Sequence, residues 1–145
     1  MYKIPAFLLI VTLFFSCESG DMNSSSEFPD LAGKWVLSDI EPANPVMESA
    51  DLSDMDFKEY YEFTEEGKFK KYRTDGLSAE GTVGIKETAE GTYYVLTFNG
   101  NPDRELISTC QGENETLKIE GNELVNDGRM CDRARYSYTM VESED

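Results

Sequence analysis

The chain is 145 residues long, carries 29 acidic against 13 basic side chains for a formal net charge of −16, and has no histidine. Such a surface repels phosphates and anionic headgroups, which argues against nucleic acid as a partner and against polybasic membrane binding, while the missing imidazole removes the commonest general base and a usual zinc ligand. The length suits one domain of ordinary size.

Met1, Tyr2 and the single cation Lys3 precede an apolar run from Ile4 to Phe15, interrupted by Pro5 and Thr12. A charged start followed by about a dozen apolar residues is the pattern of an export signal, and the run is shorter than the roughly 20 residues a helix needs to cross a bilayer core. It stops at Ser16-Cys17, and the composition turns at once to Glu18, Ser19, Gly20, Asp21 and a serine tract, Ser24 to Ser26. This resembles the bacterial lipobox, although Phe14 and Phe15 depart from its usual Leu and small residue. The resemblance implies that residues 1–16 are cleaved off and that the Cys17 thiol carries fatty acyl chains such as palmitate, two or more of which anchor a protein stably. The alternative is an ordinary signal peptide followed by an incidental cysteine. Residues 17–30 then read as the acylated cysteine and a flexible tether, and residues 31–141 as the domain.

From Leu31 onward, short β-branched and aromatic stretches alternate with Gly, Asn and Asp turn signals, the signature of an all-β sandwich or barrel. Strands are predicted at Gly33 to Ile40, Phe57 to Thr64, Lys68 to Arg73, Gly81 to Glu87, Thr92 to Phe98, Glu105 to Cys110, Thr116 to Glu120, Glu123 to Asn126 and Ala134 to Val141. A loop from Glu41 to Asp56 holds one helical turn near Asp51 to Met55. Hairpin turns fall at Glu65-Glu66-Gly67, Ala89-Glu90-Gly91 and Gly121-Asn122, each with a glycine available for positive φ. Consecutive short links describe a meander, and closing it into an up-and-down antiparallel barrel of about eight strands removes the exposed edges. Tyr61 and Phe63, Tyr94, Leu96 and Phe98, Leu117 and Ile119, and Tyr136, Tyr138 and Met140 recur at the two-residue spacing of one strand face.

Two cysteines remain after Cys17. In a chain that leaves the cytoplasm, Cys110 and Cys131 are expected to form a disulfide, and the meander brings them to the same end of the barrel; two reduced structural thiols are the alternative. Two isolated cysteines without histidine are a poor zinc set.

Gly33-Lys34-Trp35, at the start of the first strand of a secreted β-meander, resembles the Gly-x-Trp signature of the lipocalin-like superfamily. The resemblance implies an eight-stranded barrel around a ligand cavity, with Trp35 packed at the closed end beneath an arginine of the last strand, Arg135 or Arg133, as a cation–π pair. No Thr-Asp-Tyr motif follows in a later loop, which points to the looser lipocalin-like group. Many lipoproteins of Gram-negative outer membranes share this architecture, so a lipid-anchored outer-membrane protein facing the periplasm or the cell surface is expected.

An enzyme needs a nucleophile, a base or a metal. Carboxylate pairs such as Glu62 with Glu65 or Asp51 with Asp54 are available, but acidic residues are abundant enough to pair by chance. The stretch Asp51 to Asp56 offers oxygen ligands without the spacing of a calcium loop. The sequence therefore predicts no enzyme, cofactor or metal. The aromatic set Tyr61, Phe63, Tyr94, Phe98, Tyr136 and Tyr138 either lines a cavity or fills the core, since eight strands leave room for packed side chains or for one small ligand. A non-enzymatic lipoprotein binding a small apolar or amphipathic molecule is the leading expectation. The rival is an interaction or structural module with a filled barrel that docks an envelope protein.

Overall fold

The computed structural model describes residues 28–110 and 112–142; the expected export signal, Cys17 and the tether up to Glu27 lie outside them. Eight antiparallel strands, β1 (Gly33–Glu41), β2 (Glu59–Phe63), β3 (Lys68–Arg73), β4 (Ser78–Thr88), β5 (Gly91–Phe98), β6 (Glu115–Glu120), β7 (Glu123–Asp127) and β8 (Arg135–Met140), pair in chain order, and β8 returns to β1 to close the barrel. This is an all-β up-and-down barrel, and closure leaves no open sheet edge. The tight turns stand where glycine permits them: Gly67 at φ +74° between β2 and β3, and Gly121 at φ +63° between β6 and β7. The expected helical turn is a single 3-10 turn, Leu52–Asp54, capped by the Asp51 carboxylate on the Ser53 N–H at 2.8 Å.

One expected strand is absent. Glu105 to Cys110 begins in a 3-10 turn, Arg104–Leu106, capped by Asp103, because β5 pairs directly with β6, Tyr94 opposite Leu117, and no slot remains between them. The backbone there is bonded to side chains instead of to a ladder. Ser108 N–H donates to Glu115 at 2.6 Å, and Asn126 Nδ2 donates to the Ser108 carbonyl at 2.8 Å.

The barrel has two unlike ends. At one, the chain enters through a tight turn in which the Leu31 and Ala32 N–H groups donate to the Phe28 carbonyl, and Trp35 Nε1 donates to the Leu31 carbonyl at 2.9 Å. Phe28 and Leu31 belong to the core, so Phe28, in the segment expected as tether, packs with the barrel. The Phe28 ring lies against Gly67, where an added Cβ would meet it at 2.3 Å. This is the closed end. The opposite, loop end carries the long connections β1–β2, β5–β6 and β7–β8.

Candidate functional site: a buried charge cluster under a bonded loop

The pleat of β3 directs Phe69, Lys71 and Arg73 to one face. Phe69 packs in the core, so Lys71 points into the barrel as well, and it is 1% exposed. By the same rule Glu59 lies inward two residues before Tyr61 on β2, and Glu115 inward two residues before Leu117 on β6. The three charges meet in the loop-end half of the interior. Lys71 Nζ stands 2.9 Å from Glu115 Oε1 and 3.4 Å from Glu59 Oε1. Tyr61 donates its hydroxyl to Glu115, and Tyr138 donates to Glu59 at 2.6 Å. The Lys71 ammonium also lies 4.9 Å from the centre of the Tyr61 ring, and the Tyr61 and Tyr138 rings meet edge to face at 4.8 Å.

The two tyrosines and the lysine are shifted in one direction. Burial pushes the Tyr61 and Tyr138 hydroxyls well above their ordinary value, and the nearby Glu115 and Glu59 charges push the same way, so both stay protonated donors. Burial pulls the Lys71 ammonium down, but the Glu115 and Glu59 carboxylates together outweigh it and leave it raised and charged. A carboxylate bonded by an ammonium, a hydroxyl and a backbone N–H has little capacity left for another partner. The cluster is buried in the interior.

The β5–β6 loop covers this end. Its Leu106 is 1% exposed, Ser108 bonds to Glu115 of β6, and Glu105 lies 3.9 Å from Arg73 of β3. Cys110 of this loop and Cys131 of the β7–β8 loop form the expected disulfide, with Cα atoms 5.6 Å apart. Beside it lies a cavity of about 280 Å³ whose walls include Phe98, Ile107, Arg104 and Arg133.

The other residues singled out in the sequence fall as follows. Trp35 is core, and Gly33 precedes it at φ +133°. Arg135 does not cover the indole: β8 pairs Met140, not Arg135, with Trp35, and Arg135 is opposite Glu41 at the far end of β1. Because Tyr136 and Tyr138 turn toward the core, alternation sends Arg135 outward, where it bonds Glu41 at 3.2 Å and Glu120 at 3.0 Å. Arg133 lines the loop-end cavity instead. The six aromatics form or flank one core: Tyr61, Phe63, Tyr94 and Tyr138 are buried in it, and Phe98 and Tyr136 pack against it. Of the carboxylate pairs, Asp51 is engaged as a cap, and Glu62 accepts the Tyr72 hydroxyl at 2.8 Å and faces Lys34. Glu59, Lys71 and Glu115, which sequence reasoning passed over, carried one signal: each sits two residues from an apolar inward position.

No protein-family model matches the chain, and no curated protein is similar to it in sequence. Among solved structures it is similar to a lipoprotein, YedD, from Klebsiella pneumoniae subsp. pneumoniae MGH 78578, at 18% identity over 79% of this chain and 74% of that one, with a TM-score of 0.40.

Proposed function

We propose that this chain is a non-enzymatic, lipocalin-like envelope lipoprotein, anchored to the outer membrane through Cys17, whose filled barrel is a rigid scaffold that docks an envelope partner at its loop end. The observation that carries this reading is the occupied interior: a bonded Lys71, Glu59 and Glu115 cluster under Leu106 stands where a ligand would have to go. The described chain enters at the closed end, opposite the loops. At those loops Val46, Met47 and Met130 are exposed, Met130 completely, and these are the apolar side chains a partner at that end would cover.

Metabolic labelling with an alkyne fatty acid tests the anchor. The wild-type chain takes up label and sediments with outer membranes, and Cys17→Ser abolishes both; a labelled Cys17→Ser chain refutes the assignment. Photocrosslinking from position 130 in the anchored protein tests the docking face, with position 86 on β4 as control. A discrete protein adduct at 130 and none at 86 is expected, and equal or absent adducts refute it. A second reading, that the protein holds a small amphipathic ligand, is favoured by the cavity beside Cys110.

A further inference from the structure

Five arginines occur in the chain. Arg73, Arg129 and Arg135 are each held by carboxylates. Arg104 and Arg133 have no ion pair among the described residues, and both line the same cavity of about 280 Å³, together with Phe98, Pro102, Ile107 and Glu113. In a chain of net charge −16, acidic side chains are plentiful enough to pair every arginine by chance. Two arginines without an ion pair among the described residues, lining one cleft with a single carboxylate, Glu113, form a small region of opposite sign. The sequence neighbour Asp103 is committed elsewhere, its carboxylate accepting the Glu105 N–H at 2.9 Å.

We propose that this cleft binds a small anion carrying an apolar group, its carboxylate or phosphate held by Arg104 and Arg133 and its apolar part laid against Phe98 and Ile107. The site presupposes the second reading above, that the loop end holds a small ligand. Guanidinium forks match such oxyanions with two parallel N–H···O bonds. The volume lies at the low end of ligand sites, which suits an aryl or short-chain acid and leaves no room for a long lipid chain. Phe98 is the last residue of β5 and is fixed against Phe69, ring centres 5.1 Å apart, so the apolar wall is rigid. The two arginines come from different loops, Arg104 from β5–β6 and Arg133 from β7–β8, and the Cys110–Cys131 disulfide joins those loops. The crosslink holds the pair in register before a ligand arrives, and such preorganisation raises affinity.

The test is a titration of the isotope-labelled full chain carrying Cys17→Ser, followed by amide and methyl chemical shifts, with 2-naphthoate, 2-naphthyl phosphate and 2-naphthylmethanol as probes. Saturable shifts at Phe98, Ile107 and the flanking loop residues are expected with either anion, and the stronger of the two tells a carboxylate from a phosphate site. The neutral alcohol should bind at least tenfold more weakly. Arg104→Gln and Arg133→Gln should each weaken the better anion about tenfold or more, Lys86→Gln should not, and Cys110→Ser with Cys131→Ser should weaken it while the barrel strands keep their shifts. Saturable shifts at Phe63, Tyr61 or Tyr138 instead would place the ligand inside the barrel and overturn this site alone; equal affinity for the alcohol, or indifference to both arginines, would overturn it too. No saturable shift with any probe would overturn the small-ligand reading itself.

Discussion

At the closed end, the interior is hydrocarbon and aromatic rings: Phe28, Leu31, Trp35, Phe63 and Phe69 pack together, and the indole N–H is bonded to Leu31. Farther along the same strands, toward the loops, the positions equivalent by the pleat hold Glu59, Lys71 and Glu115. The two halves bury their side chains equally well but respond to change by opposite rules. An apolar half tolerates swaps that conserve volume. A bonded charge cluster tolerates the loss of no single member, because the remaining charges cannot reach water, whereas exchanging the whole set for neutral groups is nearly free.

The largest expected effect follows from that contrast. Lys71→Met should cost about 3 to 5 kcal/mol, because it leaves Glu59 and Glu115 buried without their cation; denaturant midpoints at constant m-value read it. Adding Glu59→Gln and Glu115→Gln to that variant should restore a large part of the loss, since each amide keeps one oxygen acceptor, although at position 115 the amide nitrogen then faces either Ser108 N–H or the Tyr61 hydroxyl. If the triple variant were as unstable as the single one, volume and not charge would govern this half.

Replacing Cys110 and Cys131 by serine removes the crosslink over the charged half across 21 residues of sequence. The chain-entropy account sets the loss at about 3 kcal/mol at most, read as a lower midpoint. The cluster's own bonds do not pass through the disulfide, so the alkaline behaviour described below should persist in this variant. At the closed end, Gly67→Ala meets both a positive φ of 74° and the Phe28 ring, and a loss of about 2 kcal/mol is expected, part from left-handed backbone and part from overpacking. Phe28→Leu added to it should return the packing part, because a hydrocarbon end can yield where the charged end cannot.

The closed end was the more legible half. Trp35, Phe63 and Leu117 announce an inner face by simple two-residue spacing, and Gly67 and Gly121 mark turns that only their backbone freedom explains. The pairing of Cys110 with Cys131 also follows from strand counting. The charged half was opaque because hydrophobic patterning treats Lys71 as one more solvated residue in Lys-Phe-Lys-Lys-Tyr-Arg. Its inward direction shows only when the pleat is extended through Phe69, and its partners only when the register is known. Arg135 failed for the same reason, since its place under the family pattern depended on a register that sets it outside, opposite Glu41. The spurious strand at Glu105 to Cys110 reflects propensity overridden by tertiary bonding: the Ser108 N–H serves the buried Glu115 carboxylate and its carbonyl accepts the Asn126 amide from β7, 18 residues away.

The smallest effect is also the most selective between the two halves. Tyr61, Tyr138 and Lys71 all have folded values raised above their ordinary values of 10.0 for the tyrosines and 10.5 for the lysine. A raised group contributes its stability in full below the unfolded value and loses it as pH climbs toward the folded one. The charged half should therefore hold steady up to about pH 10 and then weaken, with a limiting slope of about 1.4 kcal/mol per pH unit for each such group. Tyr138→Phe removes one titrating hydroxyl, so its unfolding free energy should fall less steeply than wild type above pH 10, even though it starts lower at neutral pH. Trp35→Phe, at the closed end, should lower the whole curve and leave that slope unchanged. Parallel curves for wild type and Tyr138→Phe would mean that the hydroxyl on Glu59 is not held protonated by its burial, and the contrast between the halves would lose its electrostatic basis.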